Sequence, residues 1–104
     1  MSSKAGIGIA ITTYNRREQL LQLVNSLREH TNPRVPLVVF DDGGCDGSRE
    51  AVAPLVSGYI QAENRGITVN KNRALFYFCR IQPVKRVLLL EDDLLVTQPG
   101  WLKL

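Results

Sequence analysis

Cysteine and histidine are nearly missing from this chain: its 104 residues hold two of the first, Cys45 and Cys79, and one of the second. Two cysteines are too few for a disulfide framework, and neither has a second pair or a histidine partner at zinc spacing. Two reduced thiols are the default, which fits a cytoplasmic protein. Long apolar runs are missing too. Nothing approaches the ~18 apolar residues that a membrane span needs. The apolar stretch near the N-terminus lacks a small-residue cleavage site and runs straight into a helical pattern, so it reads as a strand rather than a signal peptide. Basic blocks are also missing. The net charge is +3, with 13 Lys and Arg interleaved with 10 Asp and Glu. That is a mixed solvated surface, not a nucleic-acid arm. No repeat and no low-complexity linker interrupts the chain. What remains is the 44% apolar composition of an ordinary globular protein, organised as a single domain over residues 1–104.

Four short apolar runs punctuate the sequence: IGIAIT (7–12), VPLVVF (35–40), GYIQA (58–62) and RVLLL (86–90). Their length, β-branched content and turn-rich borders predict strands. Between the first two, Leu20, Leu23, Val24 and Leu27 recur at helical spacing. Asn15 with Glu18 three residues on resembles a capping box, and His30-Thr31-Asn32-Pro33 marks the helix end. The second connection, 48–56, contains Pro54, which predicts a short or broken helix. The third, 67–80, reads as a helix with a wet first half and a buried second half. Alternation of strand and helix implies right-handed crossovers and a three-layer α/β/α domain with a mostly parallel sheet. The strand order is not contained in this pattern.

In such a sheet, ligands bind outside the carboxyl ends of the strands. Each run here ends in polar or glycine-rich residues: Thr12-Thr13-Tyr14-Asn15-Arg16, Asp41-Asp42-Gly43-Gly44-Cys45-Asp46-Gly47, Asn64-Arg65-Gly66 and Glu91-Asp92-Asp93. Loops from parallel strands open on one edge, so the four clusters converge. An Asp-Asp-Gly turn taken alone is no more than a turn and helix cap. In company, one aspartate can accept hydrogen bonds from a nucleobase or ribose, with glycines letting backbone approach the ligand. Three adjoining acids repel one another, and burying them unpaired is expensive. A hard divalent cation, magnesium or manganese, removes that repulsion and can bridge a diphosphate. The plainer reading is a solvated acidic turn. Lys71 and Arg73 lie close to the same edge, where a lone cation on a helix is usually a solvated face.

Four segments, IAITTYNR, VVFDDGGCDGSRE, ENRGITVNKNRAL and LLLEDDLLV, occur in the order and spacing of family 2 glycosyltransferases, and from Gly6 to about Leu102 the chain resembles the nucleotide-sugar-binding half of that family's GT-A fold. The resemblance implies a Rossmann-like half-domain that binds a nucleotide-diphosphate sugar, most often a UDP-sugar, with manganese or magnesium. Carried over by position, Thr12 and Tyr14 line the nucleotide pocket and Asp42 accepts from the base. Asn64, Gly66 and Lys71 border base, ribose or phosphates. Asp92 lies near the ribose, and Asp93, with Glu91 beside it, is associated with the cation. The chain departs from the family pattern in four places. Gly44 stands for the usual Ser, Cys45 for Thr, Lys71 for Arg, and Glu91 for the first Asp of a strict D-x-D.

Such enzymes are roughly twice as long. The resemblance therefore implies that the base activating the acceptor lies in a C-terminal half absent from these residues, and that this chain is the donor-binding half. Two further expectations follow. The Val87–Leu90 strand lies at an open sheet edge, which invites a homodimer. A non-catalytic nucleotide-binding module is the alternative function. A receiver-type phosphotransfer domain is disfavoured, because the first strand ends in Thr-Thr-Tyr-Asn rather than an acidic pair. A sugar nucleotidyltransferase lacks support because its glycine-rich opening loop is missing.

Overall fold

A computed structural model describes residues 5–98 and 101. Four strands, β1 (Ala5–Thr13), β2 (Leu37–Asp41), β3 (Gly58–Gln61) and β4 (Val84–Glu91), form one sheet in the order β3-β2-β1-β4, every pairing parallel. The α/β class expected from the sequence is observed, and the order shows where the chain reverses. From β1 it steps outward through β2 and β3, then returns to place β4 on the other side of β1. The reversal lies between β1 and β4, where a crevice opens at the strand carboxyl ends.

Strand alternation sorts the core into two halves. Odd-numbered residues of β1 and β2 (Ile9, Ile11, Leu37, Val39) face α1 (Arg17–His30) and α2 (Ser48–Val52), packing on Leu20, Leu23, Val24, Leu27 and Val52. Even-numbered Ala10, Val38 and Phe40 face α3 (Ile67–Phe76) and its continuation, packing on Ala74 and Phe78. Helices thus cover both faces, giving three layers. Gly8 belongs to the α3 face. A β-carbon there would lie 2.7 Å from Cδ1 of Phe78 and 2.9 Å from Cζ, so the ring is seated where only hydrogen leaves room.

The helices refine the sequence expectations. Pro54 ends α2 as anticipated, and Ala53–Leu55 form a short 3₁₀ turn. The Asn15–Glu18 capping box does not form. Asn15 takes a left-handed conformation (φ 53°) that Asn tolerates, and its Oδ1 accepts from the Cys45 amide at 2.7 Å. Asp46, from the loop after β2, caps α1 from outside, its Oδ2 accepting from the Arg17 amide at 2.9 Å. In α3 the expected buried second half is narrower. Asn70, Ala74 and Phe78 form the inward stripe, while Leu75 and Phe76 are 45% and 59% exposed. One helix on this face buries one stripe. Tyr77–Ile81 then loosens into a π-helical turn. Beyond β4 the chain crosses back over α1, where the Val96 amide donates to Ser26 Oγ and the Trp101 indole to Thr31 Oγ1. No described helix is long and apolar enough to cross a membrane, and Cys45 and Cys79 are free and exposed.

Candidate functional site

Register brings the four loops together. Thr12 of β1 is level with Glu91 of β4, Thr13 with Asp41 of β2, and Asp41 with Gln61 of β3. A cavity of about 310 Å³ opens at this edge, bounded by Thr12, Thr13, Tyr14 and Arg16 from the first loop and by Glu91, Asp92 and Asp93 from the fourth. Its remaining wall is Asp42, Asn64, Gly66, Ile67 and Asn70. Of the residues to which the family resemblance gave a role, all but Lys71 line it, and Arg73, expected near the same edge, also stands outside the lining.

The two aspartates after β2 have separate jobs because alternation sends them to opposite faces. Asp41 points to the α1/α2 side. It is buried, and it accepts from the Gly44 amide at 2.8 Å and the Tyr59 hydroxyl at 2.6 Å. Burial and this carboxylate push the Tyr59 hydroxyl well above its ordinary range. Asp42 points to the α3 side and to the cavity. Its oxygens accept from the amides of Arg65 (2.8 Å) and Gly66 (2.9 Å), from Asn64 Nδ2 (3.0 Å) and from Arg73 Nη1 (2.9 Å). Burial alone would raise its pKa, but these amides and the guanidinium outweigh it and hold the carboxyl below the usual range. Asp46 is likewise held low, its Ser48 and Arg17 partners overcoming burial. Both groups support folding fully above the ordinary value of 3.8, and their support is lost as pH falls through the lower folded values.

The three adjoining acids also diverge, because β4 ends at Glu91 and the chain passes into a turn at Asp92 and Asp93. Glu91 turns to the α3 side and meets Lys71 Nζ at 3.4 Å. Asp92 turns to the α1 side, where its Oδ2 accepts from Thr13 Oγ1 at 2.8 Å and its Oδ1 lies 3.5 Å from Arg16 Nε. Asp93 stays exposed at the rim, with no ion-pair partner among the described residues. Repulsion among them is thus relieved by divergence and two cations.

Asp92 carries a net cost. Burial raises its pKa, the Thr13 hydroxyl and Arg16 pull it back, Asp93 pushes it up again, and the outcome is a raised value. A carboxyl raised by folding prefers to ionise in the unfolded chain, so the folded state gains stability as pH falls through the folded pKa toward 3.8. Asp92→Asn should therefore melt higher than wild type at pH 7, with the difference closing as pH approaches 3.8. An equal or lower melting temperature at pH 7 would mean that Thr13 and Arg16 offset burial completely.

The family model described as Glycosyl transferase family 2 matches residues 8–103. The chain belongs to that family. Among solved structures, the mannosyltransferase PcManGT from Pyrobaculum calidifontis, in complex with GDP-Man and Mn2+, superposes with a TM-score of 0.72 at 23% identity. The match covers 90% of this chain and 29% of the other, so the chain spans less than a third of that protein's length. It establishes the fold, a GT-A Rossmann-like half. A search among proteins of curated function returns no match.

Two departures from the family 2 pattern have local physical reasons. At Gly44 a β-carbon would approach Asn15 Oδ1 and Asp41 Oδ1 at 2.9 Å each, so the glycine in place of Ser lets Asn15 reach the Cys45 amide. Lys71, where Arg is common, stands outside the cavity wall and reaches the site through Glu91. Four lining residues were not singled out by sequence: Thr13, Arg16, Ile67 and Asn70. Thr13 and Arg16 carried a signal, being the polar neighbours of Thr12 and Tyr14 in the first loop. Asn70 carried a fainter one, a polar residue on the buried stripe of α3, where its Nδ2 donates to the Phe40 carbonyl at 2.7 Å.

The family implies a divalent cation, and the donor set decides how it could be held. No cluster of three or more His, Cys, Asp or Glu side chains forms among the described residues. That rules out an all-protein cage there, but not a magnesium- or manganese-type site, which needs only one or two carboxylates plus substrate phosphates and water. Asp93, exposed at the cavity rim and without an ion-pair partner, fits that use.

Proposed function

We propose that this chain binds the donor of a glycosyltransferase, a nucleotide-diphosphate sugar, in the crevice between β1 and β4. The observation that carries the reading is convergence: loops from all four strands wall one cavity at the reversal point of a family 2 domain. Thr12, Tyr14, Asn64 and Gly66 supply the wall for base and ribose, and Tyr14, half exposed at the rim, offers a ring face. Asp92 lies on the ribose side. Asp93, with Glu91 next to it, faces the diphosphate, and Lys71 adds positive charge behind Glu91. A manganese or magnesium ion held at Asp93 would neutralise charge on the departing diphosphate.

Asp42, Glu91 and Asp92 all have cationic partners, and no histidine lines the cavity. These residues therefore equip the donor side, and activation of an acceptor hydroxyl falls to groups beyond them. The same partnering supports the second reading, a nucleotide-binding module without transfer of its own. The resemblance favours UDP and the neighbouring mannosyltransferase holds GDP-Man. Calorimetric titration of UDP, GDP and ADP, with and without manganese, therefore tests the proposal. Manganese-dependent binding of a nucleoside diphosphate supports it, and no binding of any by the folded chain sinks it.

Two lesser readings belong with it. The free, exposed cysteines support a cytoplasmic location, and recovery of the native protein in a secreted fraction would remove that. β4 has only β1 as partner among the described residues, which supports pairing with a second copy. Sedimentation as a monomer at roughly tens of micromolar, within the range where exposed edges associate, would exclude the dimer.

A further inference from the structure

Cations and acids interleave along most of the chain, but residues 64–90 hold six Lys and Arg and no Asp or Glu. The net charge of +3 therefore divides into +6 within this segment and −3 over all other residues. Arg65, Lys71 and Arg73 pair with acids at the cavity edge. Arg80, Lys85 and Arg86 lie at the opposite edge of the sheet, exposed and in no ion pair with a described acid. Lys85 stands six residues before Glu91 on β4, about 20 Å away at ~3.3 Å per residue. That is more than twice the screening length of about 8 Å at physiological ionic strength, so the acids of the site leave these charges uncompensated. Large apolar side chains share this end, where Leu75, Phe76 and Ile81 are all exposed. Ile81 follows Ala74 by seven residues, a spacing that in an unbroken α-helix returns it to the buried stripe. The π-helical turn Tyr77–Ile81 takes up an extra residue, and Ile81 is instead 63% exposed. The turn is fixed, since the Gln82 amide donates to the Tyr77 carbonyl at 2.8 Å and the Tyr77 hydroxyl to Gln82 Oε1 at 2.8 Å.

We propose that the end of α3, its π-helical turn and the start of β4 form a docking surface for an anionic lipid bilayer. Phe76 and Ile81 enter among the headgroups, and Arg80, Lys85 and Arg86 meet the negative charge there. Apolar side chains flanked by cations mark an element that lies on a membrane surface rather than crossing it. A polyanion in water satisfies only the cations, and an uncharged apolar partner only Phe76 and Ile81. A bilayer with acidic headgroups takes both. It also needs no fitted pocket, and these side chains line neither the donor-edge cavity nor the one beside α2. The carboxyl edge of the sheet lies away from this surface, so the cavity stays open to solution while the chain is docked. The inference does not depend on what that cavity binds.

Flotation with lipid vesicles tests this. Wild type should partition onto equimolar phosphatidylcholine–phosphatidylserine vesicles at least about tenfold more than onto phosphatidylcholine alone. The preference should vanish near ~1 M salt, where the screening length falls to about 3 Å. Arg80→Gln and Lys85→Gln should each weaken partitioning about fivefold, and Phe76→Ser about tenfold or more. All three side chains are exposed, so the melting temperature should not fall. A second readout needs no variant. Cys79, exposed three residues after Phe76, should be alkylated by iodoacetamide about tenfold more slowly on the anionic vesicles, while exposed Cys45, in the loop after β2, keeps its rate. Equal flotation with neutral and anionic vesicles, or none with either, overturns the proposal, and so does equal protection of the two thiols. Self-association lost in Phe76→Ser, with no vesicle binding, gives this face to a second copy instead. Retention on DNA or polyglutamate alone gives it to a polyanion. Either result overturns the bilayer.

Discussion

Replacing Phe78 with alanine is expected to cost the fold about 3–5 kcal/mol, as truncations of buried aromatics do. The ring is 1% exposed, and among the described residues its cluster has five buried members against nine on the opposite face. It packs edge-on against Tyr77, with centroids 5.0 Å apart at 87°, and lies over Gly8 so closely that a methyl group cannot fit. For a domain of this size, total stability is about 5–15 kcal/mol, so the loss is a large share of it. Each kcal/mol corresponds to a drop in melting temperature of about 4–8 °C. Gly8→Ala approaches the same contact from the other side and should cost about 1–3 kcal/mol by overpacking. Combined with Phe78→Leu, which frees space over β1, the penalty at position 8 should shrink, so the double variant is more stable than the two single effects predict. Urea unfolding of the four proteins at constant m-value measures this. Strict additivity would show that the ring is not what keeps position 8 as glycine.

That contact was invisible in the sequence, although both residues were in plain view. IGIAIT announces a strand and ALFYFCR a helix, but which strand residue lies beneath which ring depends on the placement of α3 over the sheet. Period-two and period-3.6 patterns carry the elements and their buried faces, so the α/β class and the first three helices were legible. Strand order was not, because parallel crossovers of similar length permit several orders. The site divides in the same way. Which loops converge follows from strand direction alone, and it brought Thr12, Tyr14, Asp42, Asn64, Gly66, Asp92 and Asp93 to one cavity. Partner choice does not follow. Asn15 resembled a helix cap, and only the fold shows Asp46 reaching Arg17 from another loop. Glu91, Asp92 and Asp93 read as one acidic unit, yet they diverge where β4 gives way to a turn, so Lys71 and Arg16 each claim one.

On the donor-binding proposal, this divergence gives the acids unequal weight. Asp93→Ala should abolish the manganese-dependent part of nucleoside diphosphate affinity, a loss of an order of magnitude or more, since a cation at a diphosphate contributes several kcal/mol. Glu91→Gln should lose far less, about threefold or under, because it removes only an exposed ion pair with Lys71, which is worth ~0–1 kcal/mol. Manganese without nucleotide should bind weakly to wild type, because one or two carboxylates do not complete the coordination of such an ion and substrate phosphates must supply the rest. Calorimetric titrations of manganese alone, of nucleotide alone and of both together, on wild type and the two variants, separate these contributions. Equal losses in Asp93→Ala and Glu91→Gln would mean that Glu91 leaves Lys71 and joins the cation when the donor binds. Retention of the manganese effect in Asp93→Ala would place the cation elsewhere, and Asp93 would then be only a solvated acid at the rim.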